Sequence, residues 1–173
     1  QLAYPLNMQV LNVSGNASAI QQQINDQLAD ANTIHELKTL VKQDPVDIEK
    51  LRSIAREQGL ASNKVRKKVW PKLLGVNPHA SNAAKYRAQA VKGHNDSSTV
   101  TVDVERSAWL AGRVENEGSA SQGILINLRR ALQRLINGVV CSHPQDVYYY
   151  QGFHDVAAVC LLVLNEDLAY PVL

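Results

Sequence analysis

The sequence has few of the residues that announce a chemistry. Its two cysteines, Cys141 and Cys160, make no disulfide framework and have no metal-ligand spacing. Both sit among apolar residues, where buried free thiols are common, so a reduced, cytosolic setting is the expectation. Charge of one sign is not in excess: 18 Lys and Arg face 16 Asp and Glu, a net of +2. That balance speaks against a polyanion-binding arm or a membrane-surface tail. The longest apolar run, Val156 to Leu164, is about half of what a bilayer-spanning helix needs. The first residues carry no charged-then-apolar leader pattern. Aromatics are scarce, with one Phe, two Trp and six Tyr. Three of these are consecutive, at Tyr148, Tyr149 and Tyr150.

What is present is a chain of 173 residues, 45% hydrophobic and 20% charged, enough to bury a core. Gln1 to Ser18 shows no sustained period and reads as an irregular arm. From Ala19 apolar residues recur at three and four: Ile20, Ile24, Leu28, Ala31, Ile34, Leu37 and Val41, one helical face. Asp44-Pro45 ends that segment. Ile48, Leu51, Ile54 and Ala55 predict a second helix stopped near Gly59. Ser62 is a suitable N-cap for a third, with Val65, Val69, Trp70, Leu73 and Leu74 on one face. Arg66, Lys67, Lys68 and Lys72 fall mostly on the other, a solvated helix face by default. Pro71 should kink or shorten this helix, and Gly75 and Pro78 close it. Residues 76–98 predict a loop around a turn or two of helix. Val100, Val102 and Val104 alternate, which by period alone suggests a strand. Gly112 to Gly123 reads as a loop. Ile124 to Val140 carries the clearest helical stripe, broken at Ser142-His143-Pro144. The apolar run to Leu164 reads as a buried helix ended by Asn165-Glu166-Asp167. The fold class is all-α.

Several chemistries lack their residues. No Gly-x-Ser-x-Gly elbow occurs, and Cys141 and His143 at i, i+2 do not face each other on a helix. No His-x-x-x-His or Cys-x-x-Cys pair offers a metal site, so no metal is expected, and the five histidines read as hydrogen-bonded residues at loop–helix junctions. No Gly-x-x-x-x-Gly-Lys-Ser/Thr run occurs, so the chain is not a P-loop nucleotidase. One basic cluster, Val65 to Val69, does not make a nucleic-acid binder.

Two segments remain. In Val100 to Ser107, Asp103 and Arg106 stand three apart on one helical face. The carboxylate could pin the guanidinium and aim its fork outward, or the two could form an ordinary surface ion pair of little worth. In Tyr148 to Asp155, Gln151 between aromatics and followed by Gly152 reads as a tight turn presenting an amide with the tyrosines packed behind it. Alternatively, it is a buried loop that merely joins two helices.

Together these segments resemble the TBC-domain activators of Rab GTPases. Val100, Asp103 and Arg106 match the family's arginine-finger motif Ile-x-x-Asp-x-x-Arg, with Val in the Ile place. Tyr150, Gln151 and Gly152 match its glutamine-finger motif Tyr-Gln-Gly. Arg66 and Trp70, in Arg66 to Leu74, look like the motif that opens the domain. Tyr-Tyr-Gln-Gly-Phe-His-Asp after Ser142-His-Pro is most similar to the branch called TBC family member twenty and its fungal relatives, which act on early secretory Rabs. Phe153 departs from the usual Tyr there.

The resemblance implies an irregular helical bundle, with a short helix rather than a strand carrying Arg106. It implies a Rab-family small GTPase in its GTP-bound form as partner, at the cytosolic face of ER or Golgi membranes. Arg106 would stabilise charge on the phosphoryl oxygens and Gln151 would orient the attacking water. Asp103 would hold the arginine, while Asp155 and Tyr150 would hold the glutamine loop. GTP and magnesium would arrive with the Rab, and the chain would bring no cofactor. The similarity runs from about Gly59 to Leu173. It therefore divides the chain into an arm (1–18), a helical lead-in (19–58) and the front part of such a domain (59–173). The family's second half and the C-terminal hydrophobic anchors of that branch would lie outside a fragment of this length.

Overall fold

A computed structural model describes residues 13–77, 83–107, 110 and 121–173. Among these residues there are eight helices and no strand. The helices are α1 (Val13–Leu40), α2 (Ile48–Glu57), α3 (Asn63–Leu73), α4 (Ala83–Ala90), α5 (Ser97–Arg106), α6 (Ser121–Ser142), α7 (Phe153–Leu164) and α8 (Glu166–Ala169). The all-α expectation holds.

The local signals work where they are strongest. Asp47 caps α2 by accepting from the Lys50 amide at 2.9 Å, and Ser62 caps α3 by accepting from the Val65 amide. Helix α2 stops at Glu57, ahead of Gly59, and α6 stops at Ser142, ahead of Pro144. Several expectations are corrected. Helix α1 begins at Val13, inside the stretch expected to be irregular. Its apolar stripe is also not a buried face throughout: Leu28 is 58% exposed, and among the described side chains of α1 the buried ones are Thr33, Leu37 and Leu40. Helix α3 runs through Pro71 to Leu73, with the proline ring buried. The valines that alternate like a strand are helical. Val100 and Val104, four apart, point into the core, while Val102 between them is 42% exposed. A period of two and an i, i+4 pair are the same three residues, and the packed neighbour decides between them. Helix α6 takes in Ser121 to Gly123, expected as loop. Pro78 and residues 111–120 lie outside the described residues.

Two clusters make the core. Leu37, Leu40, Leu51, Ile54, Val65 and Val69 join α1, α2 and α3. Val100, Val104, Leu132, Leu135, Ile136, Val139 and the buried side of α7 form the larger one. Trp70 packs against both, so this residue of the domain-opening motif welds α3 to the main bundle. Arg66, its partner in that motif, donates to Asn63 Oδ1 at 2.9 Å within α3. In α7 only part of the surface is covered: Ala157, Ala158 and Leu164 are buried, but Val156 is 50% exposed.

Helix α4 lies close on α6 because Gly138 has no side chain. A Cβ there would stand 2.8 Å from the Tyr86 carbonyl oxygen and 2.8 Å from the Tyr170 ring. Tyr86 and Tyr170 stack over this spot with centroids 4.9 Å apart. Tyr170 is buried and donates to Glu166 Oε1 at 3.0 Å. Glu166 also accepts from Arg134 at 2.7 and 2.6 Å and from Arg87 at 3.2 Å. Burial alone would raise the Glu166 pKa, but hydrogen bonds from Arg134 and Tyr170 and the two guanidinium charges outweigh it and hold the carboxyl below its usual value.

Gly138→Ala sets two effects against each other. Alanine favours a helix interior by about 1 kcal/mol, but the contacted carbonyl cannot step aside. Overpacking of this kind costs about 1–3 kcal/mol, so thermal unfolding of Gly138→Ala should fall below wild type. Glu166 has a lowered pKa, so the stability it contributes is full above the usual glutamate value of 4.5 and is lost as pH falls below it. Glu166→Gln should therefore be less stable than wild type at pH 7 and show a shallower acid limb in a plot of stability against pH.

Candidate functional site

The two segments singled out in the sequence meet where the end of α5 faces the start of α7. Residues 147–150 are non-helical, and in an extended segment successive side chains point to opposite sides. Tyr148 and Tyr150 are accordingly 69% and 60% exposed, whereas Tyr149 between them is only 9% exposed. The expectation that the tyrosines pack together behind the glutamine is thus corrected: one goes inward and two stay outside. Tyr150 leans on Phe153, with ring centroids 5.6 Å apart, and Tyr149 meets the same ring at 6.4 Å edge to face.

Past Tyr150 the chain turns sharply. The Phe153 amide donates to the Tyr150 carbonyl at 3.0 Å, and Gly152 has φ 98° and ψ −18°. That is the third position of a type II turn, where a left-handed φ makes glycine the fitting residue. Gln151 occupies the second position, at the tip, and its side chain is exposed. Gly152 then serves as the N-cap of α7, with Asp155 in the first turn, where a carboxylate suits the helix dipole.

Asp103 lies one turn before the end of α5 and is half-buried. Its carboxylate accepts the Tyr149 hydroxyl proton at 2.6 Å. His154 closes the group, with Nδ1 3.2 Å from the Tyr149 oxygen and 3.8 Å from Asp103 Oδ2, while Nε2 faces Asp155 Oδ1 at 3.5 Å. Because the Tyr149 O–H donates to Asp103, the phenolic oxygen is left to accept from an Nδ1–H of His154. Burial, then the bonded Asp103 carboxylate, pushes the Tyr149 pKa upward from 10.0, so the hydroxyl keeps its proton and its bond at neutral pH.

This corrects the expected role of Asp103. Among the described residues no ion pair joins it to Arg106. The buried phenol offers the carboxylate a shorter and better desolvated partner than a guanidinium in open solvent, so Asp103 holds the tyrosine two residues before Gln151 instead. Arg106 is the last residue of α5, exposed, at the helix end where a cation is favoured by the dipole. Arg106 and Gln151 are both exposed, and the Asp103–Tyr149 bond links the short elements that carry them. Tyr149 and His154 are the site residues that motif reading does not single out; the alternation of an extended segment is the signal that marks Tyr149. Among the described residues no group of His, Cys, Asp and Glu is placed to hold a metal ion.

Comparison with known proteins adds to this geometry. Residues 63–173 match the family described as Rab-GTPase-TBC domain. TBC1 domain family member 20 of Homo sapiens is 34% identical over 142 residues, covering 79% of this chain and 32% of that protein. GTPase-activating protein gyp10 of Schizosaccharomyces pombe is 30% identical over 128 residues, covering 73% of this chain and 32% of the relative. GTPase-activating protein GYP8 of Saccharomyces cerevisiae is 31% identical over 110 residues, covering 64% of this chain and 20% of the relative. The chain thus spans only 32% of the length of the first two relatives.

Tyr149→Phe keeps the ring and removes the one donor that reaches Asp103. A hydrogen bond to a charged group is typically worth about 1.5–3 kcal/mol, and denaturant unfolding should show a loss of that order. The raised pKa of Tyr149 means that its contribution is full below the usual tyrosine value of 10.0 and is lost as pH rises past it. The variant should therefore lose less stability than wild type above pH 10.

Proposed function

The chain belongs to the Rab-GTPase-TBC domain family, and from that membership we propose that it accelerates GTP hydrolysis by a Rab-family small GTPase in its GTP-bound form. It is then not a GTPase itself. Arg106 and Gln151 are supplied in trans, and GTP and magnesium belong to the Rab.

Hydrolysis of this kind needs little covalent help from the protein. It needs a positioned water and a cation where charge builds on the phosphoryl oxygens. Arg106 supplies the cation, exposed at the end of α5. Gln151 supplies an amide, with both a carbonyl oxygen and N–H donors for the water, at the tip of a turn whose backbone is set by Gly152. The observation that carries this reading is the Asp103–Tyr149 hydrogen bond at 2.6 Å, which ties the helix bearing Arg106 to the turn bearing Gln151. Tyr150 and Asp155 flank the turn, one against Phe153 and the other in the first turn of α7. Similarity to the branch that acts on early secretory Rabs extends the reading to ER-to-Golgi vesicle traffic, at the cytosolic face of those membranes. No described helix is long and apolar enough to cross a membrane.

A second reading is a TBC-like scaffold that docks a Rab without accelerating it. The absence of a carboxylate on Arg106 among the described residues favours it, since an unpinned guanidinium is less preorganised for the transition state.

The test is single-turnover GTP hydrolysis by a panel of Rabs with this protein at catalytic amounts. An arginine finger in trans is typically worth about 10³–10⁵ in rate, so Arg106→Ala should lose at least roughly tenfold and Gln151→Ala should also fall. Unchanged stimulated rates in both variants would remove the two-finger assignment. GTP-dependent Rab binding with no rate increase would establish the scaffold.

A further inference from the structure

A groove of about 900 Å³ opens between α1, α3 and α8, and none of its lining residues belongs to the site around Asp103 and Tyr149. Its floor is apolar: Ile34 and Val41 from the α1 side, Val65 and Pro71 from α3, and Leu168 from α8. Ile34, Val41 and Leu168 are only half-buried, so this floor keeps apolar surface in water.

Its rim is cationic. Lys38 and Lys42 line the α1 side, and Lys64, Lys67, Lys68 and Lys72 line the α3 side. Six of the chain's 18 Lys and Arg thus face one groove, and no Asp or Glu lines it. The acids on the adjoining elements are engaged elsewhere: Glu36 of α1 pairs with Lys50 at 2.8 Å, and Glu166 and Asp167 of α8 are held by Arg134 and Arg87. No ion pair to any of the six lysines occurs among the described residues. A net charge of +2 conceals this concentration.

The spacing selects the occupant. Lys64, Lys68 and Lys72 repeat at i, i+4 along α3, about 6 Å per step, and Lys38 and Lys42 repeat likewise at the end of α1. Two cationic rails flank an apolar strip. The complement is a helix with an apolar stripe bordered on both sides by Asp or Glu at i, i+4, seated as amphipathic helices seat in grooves. A lipid headgroup concentrates its charge at one point and would leave most of the rail unused. A nucleic-acid strand stacks its bases on aromatic rings, and no aromatic residue lines the groove. We infer that the groove between α1, α3 and α8 docks an acidic amphipathic helix of a partner protein, independently of the Arg106–Gln151 site.

The experiment uses fluorescence anisotropy with a labelled helical peptide of about three turns, carrying a Leu stripe flanked by Glu on both sides. Two other probes accompany it: the same peptide with Lys for Glu, and phosphatidylserine-containing vesicles. Saturable binding of the Glu peptide is expected, weakening as salt rises, with no binding of the Lys peptide. The exposed side chains allow Lys38→Glu, Lys64→Glu, Lys68→Glu and Lys72→Glu to be combined without touching the core. Circular dichroism melts confirm that the variant is folded. Loss of four exposed ion pairs should weaken binding at least about fourfold. Ile34→Ser should weaken it as well, and Arg106→Ala should not. Stimulated GTP hydrolysis should be unchanged in the lysine variant. The inference is overturned if the Glu peptide does not bind, or binds the charge-reversed protein equally well. It is overturned in favour of a membrane surface if only the vesicles bind and lose binding in the variant. It is overturned in favour of a Rab-docking face if the variant loses GTP hydrolysis, whereas failure of the two-finger reading alone leaves peptide binding intact.

Discussion

The bond between Tyr149 and Asp103 carries the arrangement at the site. Each residue is near but not at the position that matters: Asp103 stands one helical turn before Arg106, and Tyr149 two residues before Gln151. Neither Arg106 nor Gln151 is buried, so neither could be held in place by its own packing. The hydrogen bond transfers order from the core to the surface. Tyr149 is anchored by burial against Phe153, and Asp103 by the helix whose valines fill the main core. His154 keeps the pair company on the third side and turns a single bond into a small network, in which each polar group has a partner despite low exposure to water.

The bundle beneath depends on close backbone approach. Gly138 lets α4 settle on α6, and the stacked rings of Tyr86 and Tyr170 fill the space above it. Glu166 then receives two arginines from different helices and the Tyr170 hydroxyl, so α4, α6 and α8 converge on one carboxylate. This half-buried acid stays ionised because hydrogen bonds from Arg134 and Tyr170 and the two guanidinium charges favour the carboxylate. Among the described residues, the lysines around the α1–α3 groove have no ion pair to an acid. The scaffold and the cationic groove are thus linked through which carboxylates are already occupied.

Much of the fold was readable from residues. The α2, α3 and α6 stripes, the cap at Ser62 and the stop before Pro144 follow from period and side-chain chemistry, which are local. Errors came where locality fails. The α1 segment is helical as its period requires, yet Leu28 is 58% exposed among the described residues. Val100, Val102 and Val104 fit a strand and a helix equally well until the core beside them takes the first and third. The placement of Gln151 on a tight turn was legible, because Gly after Gln in an aromatic setting is a turn signal with a steric cause.

The sequence by itself determined the helical class, the ends of most helices and the motifs that single out Arg106 and Gln151, because periodicity, capping and motif spacing are properties of neighbouring residues. Tertiary structure alone decided what Asp103 binds. The carboxylate had an arginine three residues away and a tyrosine in a distant segment, and the tyrosine won because burial makes that hydrogen bond stronger than an ion pair in water. The same holds for the lysines. Their number was visible in the sequence, but that six of them border one apolar groove follows only from how α1, α3 and α8 pack.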